Sequence, residues 1–184
     1  MIDTHERFYT SEDYWHLPDG KRAELIDGAL YDMAPPNFRH QKLVTQLSRI
    51  IGNHIEENGG RCEVITAPFA VNLTADDEKW IEPDISVICD RNKLSDRGCE
   101  GAPDFIIEVV SPSSRRMDYA VKVNLYVNAG VREYWIVDPM KNRTTVYFFE
   151  EDIAPVVFPF DRDITVGIYG SLSVNVAALL QTRE

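Results

Sequence analysis

Asp104-Phe105-Ile106-Ile107-Glu108-Val109-Val110-Ser111 is a run of strong strand formers with a carboxylate at its centre. Apolar residues stand on both sides of Glu108, so alternation gives neither face to water. The segment reads as a strand covered on both faces. Burying an ionised carboxylate costs several kcal/mol unless a cation, a metal or good donors compensate. Glu108 therefore predicts a partner.

A second carboxylate lies where a hairpin would deliver it. From Glu82 to Cys89, Pro83, Ile85, Val87 and Cys89 alternate with Glu82, Asp84, Ser86 and Ile88, the period of a strand. Segment 90–103, with Asp90, Asn92, Ser95, Asp96, Gly98, Gly101 and Pro103, has loop chemistry. An antiparallel pairing centred near Asp96 sets Asp84 directly opposite Glu108. Their Cβ atoms would then be about 5 Å apart on one face. Two like charges so placed destabilise the sheet without a cation, and converging carboxylates are a natural seat for Mg²⁺ or Mn²⁺. The plainer alternative is an Asp that starts a strand after Pro and a Glu paired with an Arg.

Ser111-Pro112-Ser113-Ser114 ends the strand, and a helix is predicted from Met117 to Ala129, stopped by Gly130. Asp118, Lys122 and Tyr126 form one stripe along it at i, i+4 and i+8. A solvent-exposed Asp118–Lys122 pair is one reading; an ammonium directed at Glu108 is the other.

These residues resemble a known group. Pro83-Asp84, Glu108 in a buried strand and a following Lys are similar to the PD-(D/E)XK nuclease superfamily. Glu24-Leu25-Ile26-Asp27-Gly28, Glu108-Val109-Val110-Ser111-Pro112-Ser113, Lys122-x-x-x-Tyr126 and Gly130-Val131-Arg132-Glu133-Tyr134-Trp135-Ile136-Val137-Asp138-Pro139 add a closer resemblance, to the Uma family of restriction endonucleases. Each motif is short; their order and spacing are specific. The superfamily's Lys lies two residues after its Glu, a position held here by Val110, and the resemblance transfers its role to Lys122. It implies an α/β restriction-endonuclease-like fold, a mixed β-sheet core flanked by helices with an N-terminal hairpin. It implies Mg²⁺ or Mn²⁺ held by Asp84, Glu108 and the carbonyl of Val109, with Lys122 acting on the hydrolytic water or the developing charge. Glu24 is expected to assist metal binding, and Tyr126 to support Lys122 or contact a phosphate. Replacing Lys122 is expected to spare folding and abolish cleavage. DNA is the implied substrate, and a homodimer, with the N-terminal aromatics as one contact, the implied assembly.

Length and composition agree with a single domain spanning 1–184, at 44% hydrophobic and 27% charged residues. No apolar stretch approaches the roughly 18–20 residues of a membrane span, and the polar start Met1–Arg7 is no signal peptide. Cys62, Cys89 and Cys99 give no disulfide framework; the first two read as small core residues, and a cytoplasmic location is the simplest. The four histidines lack metal-ligand spacing, and His40 reads as a partly exposed helix residue. Ser111 and Ser113 lack a nucleophile elbow and read as strand-end and cap residues. The net charge of −11 opposes DNA binding, which draws on Lys and Arg.

The remaining segments read as scaffold. Residues 1–20 suggest an arm or short helix, and Ala23–Met33 a hairpin about Asp27-Gly28. Asn37–Asn58 is the best helix, with Leu43, Val44, Leu47, Ile50, Ile51 and Ile55 on one face. Strands are expected at 62–66, 68–73, 134–137 and 144–149, and a short helix near 174–180. The strand–helix–strand passage from Glu108 to Trp135 implies a parallel crossover. The expected activity is metal-dependent hydrolysis of DNA phosphodiesters. Two readings compete with it: a non-cleaving binding or assembly module on the same fold, and a metal-dependent hydrolase of another substrate.

Overall fold

The computed structural model describes residues 7–151 and 153–181; the polar start over 1–6 and the terminus over 182–184 lie outside the described residues. A short helix α1 (Ser11–Trp15) begins at Thr10, whose hydroxyl accepts from the Asp13 amide while the Asp13 carboxylate accepts from the Thr10 amide. It sits against the hairpin β1 (Ala23–Ile26) and β2 (Ala29–Asp32). Asp27 (φ 49°) and Gly28 (φ 79°) are both left-handed, as a two-residue turn of this hand demands. A Cβ at Gly28 would meet the Phe8 ring at 2.2 Å, so glycine is needed twice over.

The long helix α2 (Phe38–Glu57) begins at Asn37, whose side chain accepts from the His40 amide. Leu43, Val44, Leu47, Ile51 and Ile55 are buried along it, and Ile50 is half-buried. Short strands follow: β3 (Glu63–Thr66), β4 (Val71–Asn72), β5 (Lys79–Ile81), β6 (Ile85–Ile88), β7 (Leu94–Ser95), β8 (Gly98–Glu100) and β9 (Phe105–Val109). A π-helical segment over Met117–Val121 runs into α3 (Lys122–Ala129), closed by Gly130 at φ 88°. The chain ends with β10 (Glu133–Asp138), β11 (Arg143–Phe148), β12 (Val156–Pro159), β13 (Asp163–Thr165), β14 (Ser173–Asn175) and α4 (Val176–Leu180).

The larger core sheet has the order β12-β11-β10-β9-β6-β3; the other runs β2-β1-β5-β4-β8-β7. β9 pairs antiparallel with β6 and parallel with β10, as the predicted crossover requires. Ile85 faces Ile107 and Val87 faces Phe105, which is the register that carries Asp84 to Glu108. Phe105, Ile107 and Val109 pack on the α2 side with Leu43 and Leu47. Ile106 and Val110 pack on the opposite side with Tyr126, Ile26 and Ile81. Both faces of β9 are covered, so the apolar run around Glu108 is the signature of a central strand.

Several expectations shift. The strand predicted from Glu82 starts at Ile85, because Pro83 has no N–H for a ladder and Glu82 is bound to Arg22 instead. Segment 90–103 is not a plain loop: β7 and β8 form a small hairpin, and Cys99 of β8 pairs in register with Val71 of β4. The strand expected at 68–73 shrinks to Val71–Asn72, and the helix near 174–180 starts only at Val176, after β14. The N-terminal aromatics divide: Tyr14 is buried and stacked on Trp80, while Phe8 remains 72% exposed.

The expectation of no disulfide is corrected. Cys62 and Cys89 are bonded. They extend the β3–β6 ladder, where Glu63 faces Ile88, so the next pair outward is Cys62 and Cys89. The sequence distance between them conceals that the strands are antiparallel neighbours. Cys99 is free and buried, and burial pushes its thiol up to about 11.

Candidate active site

Glu108 sits where β9 runs out from under β6. Beyond Ile85 the β6 ladder stops, and the Asp84 side chain takes its place: Asp84 Oδ2 accepts from the Val109 amide at 2.8 Å. In return the Asp84 amide donates to Glu108 Oε2 at 3.4 Å. A cavity of about 370 Å³ opens at this point, lined by Glu24, His40, Asp84, Glu108, Asp118 and Lys122 among others. Val109 lines it too.

Lys122 enters from the start of α3 and is 3% exposed. Its ammonium lies 2.7 Å from Glu108 Oε1, 2.9 Å from Glu24 Oε1 and 4.0 Å from Asp118 Oδ1. Burial opposes the charge on Lys122, but Glu108, Glu24 and Asp118 outweigh it and hold the ammonium well above its usual range. Burial likewise pushes Glu108 above the usual carboxylate range, against the pull of Lys122. The solvent-exposed i,i+4 pair is thus ruled out, and burial of the ammonium among carboxylates leads us to expect that its loss costs the fold. Removing a buried cation strands the carboxylates around it.

Tyr126 and Glu24 join the same cluster. The Tyr126 hydroxyl donates to Glu108 Oε1 at 2.7 Å from a fully buried ring. Glu24 is 4% exposed, which removes its reading as a surface residue. One of its oxygens both pairs with Lys122 and accepts from the Glu82 amide.

Two residues of the site escaped the sequence reading. His40 is buried, with Nε2 3.2 Å from Asp84 Oδ2. Burial disfavours its imidazolium, but the Asp84 carboxylate outweighs that and raises it. Asp118 is 1% exposed; Oδ2 accepts from the Ser114 hydroxyl at 2.6 Å, while Oδ1 has no hydrogen-bond partner. Burial pushes its carboxyl up to about 6. The π-helical segment that carries it is the kind of helix irregularity that recurs at functional sites. Position 40 opens α2 just after its cap, and Asp118 shares the Lys122 stripe; those were the available signals.

Five carboxylates (Glu24, Asp32, Asp84, Glu108 and Asp118) against the Arg22 guanidinium, the Lys122 ammonium and the His40 imidazole leave the pocket short of positive charge. The unpartnered Asp118 oxygen and an oxygen-only acceptor set suit a hard divalent cation. Among the described residues no three His, Cys, Asp or Glu side chains converge closely enough to cage a metal unaided. Asp84 and Glu108, opposed across the β6–β9 register, are the carboxylates that would hold one.

Comparison with known proteins follows the same direction. The family model described as "Uma2: Putative restriction endonuclease" matches residues 11–176. Two Synechocystis sp. proteins, both described only as uncharacterized, are similar to the chain. Protein slr1290 is 26% identical over 144 residues, 77% of this chain and 74% of that one. Protein sll1609 is 25% identical over 152 residues, 80% of this chain and 84% of that one. The crystal structure of a "putative nuclease belonging to DUF820" from Anabaena variabilis ATCC 29413 superposes with a TM-score of 0.75 at 20% identity. It covers 93% of this chain and 97% of its own, which establishes a shared fold. With a model match over nearly its full length, the chain belongs to the Uma2 family of restriction-endonuclease-like proteins.

Proposed function

We propose that this protein is an endonuclease hydrolysing DNA phosphodiester bonds with a divalent metal, Mg²⁺ or Mn²⁺, held by Asp84 and Glu108 with the Val109 carbonyl. The observation that supports this most is the meeting of Asp84, Glu108 and a fully buried ammonium, Lys122, at one cavity. When bound, such a metal would lower the pKa of water and offset charge growing on the phosphoryl oxygens.

The chain's own residues do the rest. Tyr126 and Lys122 hold Glu108 from one side, so its second oxygen stays directed at Asp84. His40 and the Val109 amide fix Asp84. Lys122, held on its other side by Glu24, offers a permanent positive charge beside the scissile phosphate, where it orients the attacking water and stabilises the transition state. Placement on rigid elements means no reorganisation is needed as charge develops.

One observation favours a non-cleaving binding module instead: both oxygens of Glu108 already accept hydrogen bonds. Thermal unfolding at low salt separates the two readings. Mn²⁺ or Mg²⁺ that binds only the folded state raises its stability. The nuclease reading expects that shift in wild type and its loss in Asp84→Asn; no shift in either favours the binding module.

No helix among the described residues is long and apolar enough to cross a membrane. A DNA substrate places the working compartment in the cytoplasm, where the Cys62–Cys89 bond would meet reducing conditions. Duplex cleavage with one site per chain asks for a homodimer, which light scattering at micromolar concentration would show and a monomer would contradict.

A further inference from the structure

We propose that the nucleic-acid backbone is held by a cationic ledge beside the cavity, made by Arg39, Lys141 and Arg143 around the ring of Tyr119 and continued by Arg115 and Arg116. The inference rests on the nuclease reading and says where that substrate lies. Each part adjoins the site. Arg39 precedes His40, Tyr119 follows Asp118, and Arg115 and Arg116 stand between Ser114 and Met117, all four of these neighbours lining the cavity. Lys141 lies in the turn after β10, the parallel neighbour of the strand that carries Glu108, and Arg143 opens β11 beyond that turn.

The ledge is built, not merely a coincidence of long side chains. Asp138 is fully buried and organises it: Oδ1 accepts from the Met140 and Lys141 amides at 3.0 and 3.1 Å, and Oδ2 from the Tyr119 hydroxyl at 3.1 Å. Lys141 Nζ and Arg143 Cζ lie 5.7 and 5.9 Å from the centre of the Tyr119 ring. Arg39 Nη2 donates to Asn142 Oδ1 at 2.8 Å, tying α2 to the same turn.

Charge decides what this surface fits. The chain has 30 acidic residues and 19 Lys and Arg, so a cation should find a carboxylate easily. Arg22, Lys79, Arg91, Lys122 and Arg132 do. Among the described residues, Arg39, Lys141, Arg143, Arg115 and Arg116 make no ion pair, nor do Lys42, Arg49, Arg61, Lys93, Arg97 and Arg162 elsewhere on the fold; the five of the ledge stand apart in adjoining the cavity, and Arg143 Nε is buried without an acceptor. Unpaired cations gathered beside a carboxylate-rich cavity match a polyanion whose reacting phosphate enters the cavity while its neighbours lie on the ledge. Guanidinium forks suit phosphate oxygens, and a half-buried ring offers a stacking face. This local concentration answers the net charge of −11, which repels DNA only at long range.

The test is fluorescence anisotropy of labelled single-stranded and duplex DNA without divalent metal, across a salt series. The proteins are wild type, Arg39→Ala/Lys141→Ala/Arg143→Ala, and the exposed pair Arg39→Glu/Lys141→Glu, the latter guarding against loss of fold at the half-buried Arg143. Arg49→Ala, further along α2, is the control. Wild type should bind at low salt. Both ledge variants should bind at least about tenfold more weakly, and each lost phosphate contact should lower the salt slope by about 0.7–0.9; the control should change neither. No DNA binding by wild type at low salt, or equal affinity and slope in the ledge variants, overturns the ledge. A Mn²⁺ cleavage assay separates its fate from that of the nuclease reading. Wild type that binds through the ledge but never cleaves sinks only the latter. Cleavage at unchanged KM in the ledge variants sinks only the former.

Discussion

Lys122 Nζ lies 2.7 Å from Glu108 Oε1, and the two residues are 14 apart in the chain, on different elements. The superfamily motif would put a lysine on β9 itself, two residues after Glu108. Val110 occupies that position and packs into the apolar cluster around Tyr126. The ammonium reaches the same carboxylate from α3 instead. An ammonium thus stands beside Glu108, anchored on a helix and not on the strand.

That anchoring gives Lys122 a structural role. Lys122→Ala should destabilise the fold by about 3–5 kcal/mol, since it leaves Glu24 and Glu108 buried without their cation. Lys122→Met fills the same volume and should destabilise less. In both variants divalent metal should recover part of the loss. Urea unfolding with and without Mg²⁺ measures this; a Lys122→Ala change below about 0.5 kcal/mol, the range of surface substitutions, contradicts it.

Tyr126→Phe removes one donor from Glu108 and leaves the ring in place. A buried acceptor that loses a partner costs about 1–3 kcal/mol. Because Lys122 still donates to the same oxygen, the lower half of that range is expected, again by urea unfolding.

Asp118 gives a pH signature. Its folded-state carboxyl is raised to about 6 from an ordinary value of 3.8, through burial. The folded state therefore holds that proton more tightly than the unfolded chain. The resulting stability is fully present below pH 3.8 and is lost as pH rises towards about 6. Asp118→Asn cannot ionise and keeps an acceptor for Ser114. Its melting temperature relative to wild type should climb between pH 4 and 6, roughly, and level off above. A difference that stays flat across that window contradicts the assignment.

The cysteines give a count. With Cys62 bonded to Cys89 and Cys99 buried, a thiol reagent at neutral pH should label nothing in the native oxidised protein. Denaturation should release one thiol, and reduction with denaturation all three. Two reactive thiols in the native, unreduced protein would show Cys62 and Cys89 to be separate.

The mirror placement of Asp84 and Glu108 was legible because strand alternation and loop length set a register, and the β6–β9 ladder has it. The ends of α2 were legible from Asn37 and the paired glycines after it. What escaped depends on contacts distant in sequence. His40 looks exposed until β6 is seen to begin only after Asp84, leaving that carboxylate free to reach α2. Asp118 looks like a surface partner of Lys122 until β1 and β9 bury the whole stripe. The Cys62–Cys89 bond follows from pairing β3 with β6, which neither strand's own pattern reveals.

The most direct measurement of the central claim is Mn²⁺-dependent nicking of supercoiled plasmid at low salt by wild type, Asp84→Asn and Lys122→Met, each shown to be folded by circular dichroism. Wild type should nick, and each variant should lose about 100-fold or more, the scale of a lost acid–base or electrostatic contribution. Wild type inert with both Mn²⁺ and Mg²⁺, or Asp84→Asn nicking at the wild-type rate, would contradict the assignment of this cavity as a nuclease active site.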